Sequence, residues 1–272
     1  MKNSINRLRW AALLMIVAAG MARAEEWSKT FAITTRPDLR VETTDANLHV
    51  ETWDQKQIAV QVTTERAPIG PEGVTVIEHQ TGDSVEIEIH LSRSMSWNIG
   101  FHHSRRVDVY IHMPREGSIN LHTGDGSISL SGFKGNIQTR SGDGSQDLDS
   151  VEGMLRASAG DGHIRAAGRF DVLEVGTGDG RIDVRVLPGS TINSSWRLTA
   201  GDGSITLQLP ENLAADLNLH TGDGHITLDM PLTVDGRLGR NDVHGKLNGG
   251  GNPVTVHTGD GSIVLEKLAA SL

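Results

Sequence analysis

The tripeptide Gly-Asp-Gly occurs seven times between residues 124 and 261, and this repetition limits the fold more than any other feature of the chain. Successive copies begin 18, 18, 18, 23, 21 and 37 residues apart, and three identical intervals indicate a structural repeat. The copies are Gly124-Asp125-Gly126, Gly142-Asp143-Gly144, Gly160-Asp161-Gly162, Gly178-Asp179-Gly180, Gly201-Asp202-Gly203, Gly222-Asp223-Gly224 and Gly259-Asp260-Gly261.

Segments with alternating apolar and polar residues flank each tripeptide. Isoleucine follows six of the seven copies after one intervening residue, and residues 205–209 (Ile-Thr-Leu-Gln-Leu) show how the alternation continues. A period of two predicts strands with one buried face and is incompatible with helices. The second copy has Gln146 where isoleucine is expected. We therefore expect that unit to be frayed or exposed at an edge.

We predict that all seven tripeptides are structural turns. Glycine enters left-handed backbone conformations without steric cost, and aspartate tolerates them and can accept backbone N–H hydrogen bonds. One arrangement is an antiparallel β-meander in which each Asp-Gly is a hairpin tip, so that Leu121 lies opposite Leu130. The other is a β-solenoid-like stack in which equivalent positions of successive repeats lie about 4.8 Å apart. Spacing alone does not choose between them.

The N-terminal residues predict export. A basic start, the apolar run 11–19 and the small residues around Ala24 are typical of a signal peptide covering residues 1–24. The apolar run is shorter than the roughly 20 residues that a permanent span needs, so we expect no stable membrane insertion after cleavage. The expected location is the periplasm, the cell surface or the medium. The chain has no cysteine, so packing and backbone pairing must hold it together.

The mature chain divides into two regions by pattern. Residues 25–113 read as a strand-rich N-terminal region or cap, in which residues 93–106 look like an exposed loop. Residues 114–267 hold the repeats, with a loop insertion expected near 235–253, where glycine and asparagine are frequent.

Composition excludes several functions. The net charge of −9 repels nucleic acid and anionic lipid, so neither is an expected partner. Aromatic residues make up only 4% of the chain, which argues against a deep aromatic ligand pocket. The serines that follow four of the tripeptides are repeated, whereas a catalytic nucleophile would be singular. We expect no enzyme; a carbohydrate-active enzyme on a β-solenoid scaffold is the alternative.

Two sets of residues are candidate metal ligands, the aspartates of the tripeptides and three histidines. One aspartate per turn supplies few of the oxygen ligands that calcium requires, and the period of about nine residues found in calcium-binding glycine-rich repeats is missing. A calcium-stabilised surface repeat therefore remains only an alternative. His122, His220 and His257 share one phase of the repeat and are expected to face outward. His220 and His257 would stack if the last interval is one unit, but exposed strand histidines are usually surface residues. We predict no metal and no cofactor.

The repeated units resemble a known family. Residues 121–128 and 219–226 are similar to the units of DUF4097, a bacterial family of exported, adhesin-like β-strand repeat proteins, and residues 47–54 are similar to its entry motif. The resemblance covers residues 40–267. It implies a stacked, solenoid-like, all-β fold at the cell envelope without catalytic residues. The expected function is a non-catalytic binding or structural module whose partner is an envelope or surface protein or a glycan, with self-association through an exposed end of the stack.

Overall fold

The computed structural model describes residues 25–65, 67–92, 106–231 and 233–269. Every regular element within these ranges is a strand, so the all-β prediction is confirmed. The predicted signal peptide and residues 93–105 of the predicted loop lie outside the described residues. The strands are β1 (Glu25–Ala32), β2 (Asp38–Thr43), β3 (Asn47–Trp53), β4 (Gln57–Thr64), β5 (Val74–Thr81), β6 (Ser84–Leu91), β7 (Val107–Pro114), β8 (Glu116–Thr123), β9 (Ile128–Ser131), β10 (Lys134–Ser141), β11 (Gln146–Ala159), β12 (Ile164–Thr177), β13 (Ile182–Val186), β14 (Trp196–Ala200), β15 (Ile205–Leu209), β16 (Ala215–Thr221), β17 (Ile226–Asp229), β18 (Thr233–Leu238), β19 (Asp242–Leu247), β20 (Pro253–Thr258) and β21 (Ile263–Lys267).

Two parallel ladders form the body of the molecule. Ladder A has the order β6, β2, β8, β10, β11, β12, β14, β20, β16. Ladder B has the order β7, β3, β9, β11, β12, β13, β15, β21, β17. The long strands β11 and β12 belong to both, their first residues to ladder B and their last residues to ladder A. We call a ladder A strand and the ladder B strand that follows it one layer.

The pairing rules out the hairpin arrangement. Leu121 is in register with Val41 and Thr139, whereas Leu130 is in register with Val50 and Leu148. The prediction that Leu121 lies opposite Leu130 is therefore wrong. The two strands that flank a tripeptide belong to different ladders, so each pairs with strands of neighbouring layers and not with the other. Their apolar side chains meet in the core between the ladders.

The core lies between the two ladders. Inward side chains such as Val175 of ladder A and Val184 of ladder B are buried, and all the buried apolar residues of the described chain form one cluster. Burying one such side chain stabilises the fold by about 1.5–3 kcal/mol. Their residue types are mostly isoleucine, leucine and valine, which suit a narrow pleated interior.

Chain order and spatial order differ near the C-terminus. The last layer, β20 and β21, pairs with β14 and β15 on one side and with β16 and β17 on the other. The chain therefore builds an outer layer first and then inserts its final layer inside it. The 37-residue interval between the last two tripeptides contains the segment that makes this return possible.

The expected loop near 235–253 is largely a hairpin. Strands β18 and β19 pair antiparallel, and β19 covers the outer edge of β16. Val243, Gly245 and Leu247 are buried at alternate positions of β19. The expectation of a loop is wrong because the glycines and asparagines obscured this period-two pattern in the sequence.

The N-terminal region extends the same ladders. Strands β6 and β7 pair with β2 and β3 on the side away from the tripeptides. Antiparallel strands then close this end, with β5 beside β6, β4 beside β7, and β1 beside β4. Residues 25–113 thus contribute two further layers as well as a covering of antiparallel strands.

Gln146 is neither frayed nor exposed, contrary to expectation. Its side chain is buried in place of the usual isoleucine. Its Oε1 accepts a hydrogen bond from the Thr139 hydroxyl at 2.6 Å, and its Nε2 donates to the Ser141 hydroxyl at 2.8 Å and the Ser158 carbonyl at 2.7 Å. The amide is tolerated in the core because each of its polar atoms has a partner.

Candidate binding surface

The tripeptides follow one edge of the molecule, between the end of a ladder A strand and the start of a ladder B strand. The N–H of Gly142 donates to the carbonyl oxygen of Gly124 at 2.5 Å, and Gly160 donates to Gly142 at 2.7 Å. The same hydrogen bond joins Gly178 to Gly160 at 2.5 Å. It then recurs at 2.6–2.7 Å along the series Gly201, Gly259 and Gly222, in the spatial order of the layers.

Glycine is required at these positions by the neighbouring layer. A Cβ on any of the fourteen tripeptide glycines would lie under 3.0 Å from a carbonyl oxygen of the adjacent layer, a distance that real Cβ atoms essentially never show. None of these glycines, and none of the intervening aspartates, has a left-handed φ. The predicted reason for glycine, access to left-handed conformations, is therefore wrong, and close backbone approach replaces it.

The aspartates of the tripeptides point their carboxylates to solvent. All seven are exposed, and the row is extended by exposed Asp45, which lies between β2 and β3. The carbonyl oxygen of Thr44 accepts the hydrogen bond of Gly124 at 2.6 Å, so this connection occupies the same place as a tripeptide. The tripeptide pattern does not reveal this connection, because Thr44 and Ala46 stand where glycines are expected. Within the described residues, no group of three or more histidines and carboxylates is arranged to hold a metal ion.

The three histidines at the same position of the repeat do not lie together: His220 and His257 are neighbours, and His122 is distant from them. The rings of His220 and His257 stack with centroids 5.3 Å apart and planes 4° from parallel. Asp242 of β19 lies beside them, with Oδ1 3.6 Å from Nδ1 of His220. His122 lies on β8, five layers from His257, in register with Glu42 and Arg140.

A shallow trough of about 730 Å³ crosses the middle of the outer face of ladder A. Two rows of side chains form it, each with one residue per layer. The outward residues of the first row are Asn120, Gln138, Arg156, Glu174 and Arg197, and those of the second row are His122, Arg140, Ser158, Gly176 and Thr199. Ser158 and Gly176 are the smallest of these residues and make the floor, because the arginines and Glu174 rise around them.

The trough carries uncompensated positive charge. Arg156 pairs with Glu174 at 3.2 Å, and Arg40 at the end of the trough pairs with Glu42 at 3.2 Å. Arg140 donates from Nε to the Ser158 hydroxyl at 3.4 Å, and no carboxylate of the described residues lies within ion-pair distance of it. Arg197 is exposed and has no hydrogen-bond or ion-pair partner within the described part of the chain. This face is therefore locally cationic on a protein of net charge −9.

Gly176 differs from the tripeptide glycines. A Cβ built there would have the carbonyl oxygen of Thr199 as its nearest neighbour, at an ordinary 3.8 Å. Its φ is outside the left-handed region. Neither its backbone conformation nor its surroundings exclude a Cβ, and the missing side chain leaves the trough open at this position.

A second polar cluster lies on the outer face of ladder B. Asp108 is buried and accepts hydrogen bonds from Arg106 Nε at 2.8 Å, Asn47 Nδ2 at 3.0 Å and His49 Nε2 at 3.3 Å. Burial raises the pKa of Asp108, but these hydrogen bonds, that of Arg106 first, outweigh burial and hold the pKa below its usual range. His49 also stacks on Tyr110 with ring centroids 5.0 Å apart. The donors satisfy the carboxylate and fix the surrounding rings in place, which is a structural arrangement.

These features define an all-β protein of paired parallel ladders that presents broad polar faces. A family model described as Toastrack DUF4097 matches residues 118–266, more than half of the chain. The chain belongs to this family, as its repeated units predicted.

Several solved structures are similar to the chain. One is described as a proposed cell adhesion protein from Clostridium sporogenes; it has 16% identity over 90% of this chain and 100% of its own, with a TM-score of 0.46. Another is described as a proposed adhesin from Bacteroides fragilis, with 10% identity over 90% of this chain and 98% of its own, and a TM-score of 0.33. A third is described as a proposed lipid-binding protein from Parabacteroides distasonis, with 13% identity over 88% of this chain and 96% of its own, and a TM-score of 0.34.

A search of the curated proteins found no match. In the part of the chain that the structure describes, no helix has the length and apolar character needed to cross a membrane.

Proposed function

We propose that the protein is a non-catalytic, exported binding module of the cell envelope, built as a β-solenoid-like stack in which the seven Gly-Asp-Gly tripeptides are the turns. Residues 1–24 act as the signal peptide, residues 25–113 form the first layers and the cap, and residues 114–267 form the repeats. The partner is an envelope or surface protein or a glycan, and no cofactor takes part. The location is the periplasm, the cell surface or the medium.

The trough on ladder A is the observation that carries this proposal. It is open, polar and spread over several layers, which suits the binding of an extended partner better than the enclosure of a small substrate. The two described carboxylates that line it, Glu42 and Glu174, are each paired with an arginine, Arg40 and Arg156, and not with each other. Binding without chemistry therefore accounts for the residues on this face.

Fractionation and retention test the proposal. The full-length protein, expressed from its own start, is expected in the periplasmic or extracellular fraction with Glu25 as its new N-terminus. The mature chain, immobilised, is expected to retain material from solubilised envelopes. Recovery of uncleaved protein in the cytoplasm, or retention no greater than that on a blank matrix, would contradict the proposal.

Self-association would use the ends of the stack. Strand β1 pairs with β4 on one side, and no described strand pairs with its other side. An unpaired strand edge can add a strand from another molecule. Light scattering at increasing protein concentration measures this directly, and a constant monomer mass would exclude it.

A further inference from the structure

We propose that the trough floored by Ser158 and Gly176 binds a carboxylate-bearing polysaccharide, with Arg140 and Arg197 receiving its carboxylates. This proposal rests on the proposed function, because it assigns a ligand class to the same face of ladder A. The ligand lies across the strands, along the direction in which the layers stack.

The unpaired arginines select an anion. Arg156 and Arg40 are already paired with Glu174 and Glu42, so their charges are compensated. Arg197 has no hydrogen-bond or ion-pair partner in the described chain, and there the Ser158 hydroxyl is the only polar partner of Arg140. A guanidinium group matches a carboxylate through two parallel hydrogen bonds, which makes carboxylate recognition its usual role at a binding surface.

Gly176 provides an independent indication that something approaches this face closely. Glycine in a strand interior weakens the strand and often marks the place where a ligand approaches the backbone. The fourteen tripeptide glycines have a steric reason, but Gly176 has 3.8 Å of clearance and an ordinary φ. The flanking residues in its row, Ser158 and Thr199, are also short, so an open floor runs over three layers. Arg140 lies at the Ser158 end of the same row, and Arg197 lies in the adjacent row on the strand of Thr199.

The remaining lining favours a sugar over a peptide. Asn120, Gln138 and Thr199 present amide and hydroxyl groups, which hydrogen-bond the many hydroxyls of a saccharide. The two rows of described outward residues that line the trough contain no large apolar side chain that could anchor a peptide, and Met154, which contacts Arg156, lies outside them. Successive strands are about 4.8 Å apart, so an extended polymer meets a new pair of side chains at each layer.

Binding of oligogalacturonate, a polymer of carboxylated sugars, tests the proposal on the mature full-length chain. Titration calorimetry compares it with fully methyl-esterified oligogalacturonate, which has the same sugars without charge, and with polyglutamate, which has carboxylates without sugars. The variants are Gly176→Thr, which fills the floor, and Arg197→Gln, which removes an unpaired charge. Arg165→Gln is the matched control, because Arg165 is exposed on ladder B outside the trough.

We expect oligogalacturonate to bind the native chain and to bind less tightly as salt is added. Arg197→Gln should weaken binding roughly tenfold or more, and Arg165→Gln should leave it unchanged. Gly176→Thr should abolish binding while its melting temperature is equal to or higher than that of the native protein. The methyl ester and polyglutamate should bind at least roughly tenfold more weakly.

Each opposite result overturns the assignment. Native affinity in a folded Gly176→Thr variant would show that the trough is not the site. Equal affinity for polyglutamate would show that charge alone is recognised and not a saccharide. Retention of envelope material without any binding of oligogalacturonate would leave the binding module standing and remove the acidic glycan. If the chain neither retained envelope material nor bound oligogalacturonate, the proposed function would be removed as well.

Discussion

At the tripeptides, the choice of residue is dictated by the next layer. The interlayer hydrogen bond from Gly160 to Gly142 brings two backbones so close that no Cβ fits between them. Gly176 lies in the same stack of layers, but its neighbours leave room for a side chain. Glycine is therefore sterically required at the tripeptides but not at position 176. Substitutions at the two kinds of position should have opposite effects on stability.

Replacing Gly144 by alanine should destabilise the protein strongly. The new Cβ would collide with the carbonyl group of Gly126, so the layers must separate there, at a cost of about 2 kcal/mol or more. Gly176→Ala is the matched control and should raise the free energy of unfolding by about 0.5 kcal/mol. Urea denaturation measures both variants. Equal effects of the two substitutions would contradict the steric explanation.

Replacing Gln146 by leucine tests the buried amide. The change keeps the volume but leaves the Thr139 hydroxyl and the Ser158 carbonyl without this partner, so we expect a loss of about 1–3 kcal/mol. The comparison is Gln138→Leu, because Gln138 is exposed on the neighbouring strand β10. A leucine variant at position 146 that matched or exceeded native stability would mean that the hydrogen bonds contribute nothing net.

Among the elements, one carboxylate ties the connection between β1 and β2 to the hairpin of β5 and β6, in addition to the pairing of β6 with β2. Asp83 at its tip accepts hydrogen bonds from the backbone N–H of Thr34 at 2.7 Å and of Thr35 at 2.8 Å, and from both hydroxyls. These hydrogen bonds, that of the Thr34 backbone first, hold the pKa of Asp83 far below its ordinary value. The contact fastens the connection between β1 and β2 to the end of the sheet.

The depressed pKa of Asp83 gives stability a definite pH dependence. Because the folded pKa is lower than the unfolded value of about 3.9, the contribution is complete above that pH and is lost as the pH falls toward the folded pKa. Asp83→Asn should lower the melting temperature at pH 7, and the difference from the native protein should shrink below about pH 4. Melting curves from pH 7 to pH 3 provide the measurement.

The control for this effect is Asp45→Asn, since the Asp45 carboxylate accepts no hydrogen bond within the described residues. It should leave the melting temperature almost unchanged across the same range. A constant difference between native and Asp83→Asn proteins at all pH values would show that Asp83 acts without its charge.

The elements also show how far sequence reasoning reaches. Alternation around Ile205 predicted strands correctly, and the repeated units predicted the family. The pairing partners of β16 were not predictable, because a spacing of 37 residues does not say on which side a returning strand inserts. The trough was missed because Arg140, Gly176 and Arg197 lie in different layers, and each resembles an ordinary exposed strand residue in its own segment.

At the scale of the whole molecule, stability depends on an interior layer contributed by the end of the chain. Strands β20 and β21 supply hydrogen-bond partners to four other strands. Their inward side chains, among them Val256 and Leu265, are completely buried. Loss of this layer would therefore leave unpaired edges and an open core on two sides.

Deletion of residues 253–272 should abolish the cooperative thermal transition or lower its midpoint by more than 10 °C, a shift of roughly 3 kcal/mol or more for a chain of this size. Deletion of residues 270–272 is the control and should leave the midpoint unchanged. Amide exchange over β14 and β15 gives the local measurement, because each of these strands loses one of its two partners only in the longer deletion. Native protection in that variant would mean that the outer layer can dock directly on β14 and β15.

The position of the final layer has a consequence for synthesis. A ribosome releases residues 253–267 after residues 215–229, yet strands β20 and β21 fill the gap between that earlier layer and strands β14 and β15. Every intermediate that ends before residue 253 therefore lacks an interior layer. Completion of the stack thus requires residues 253–267, and a product terminated before them keeps an exposed seam that proteases and chaperones can recognise.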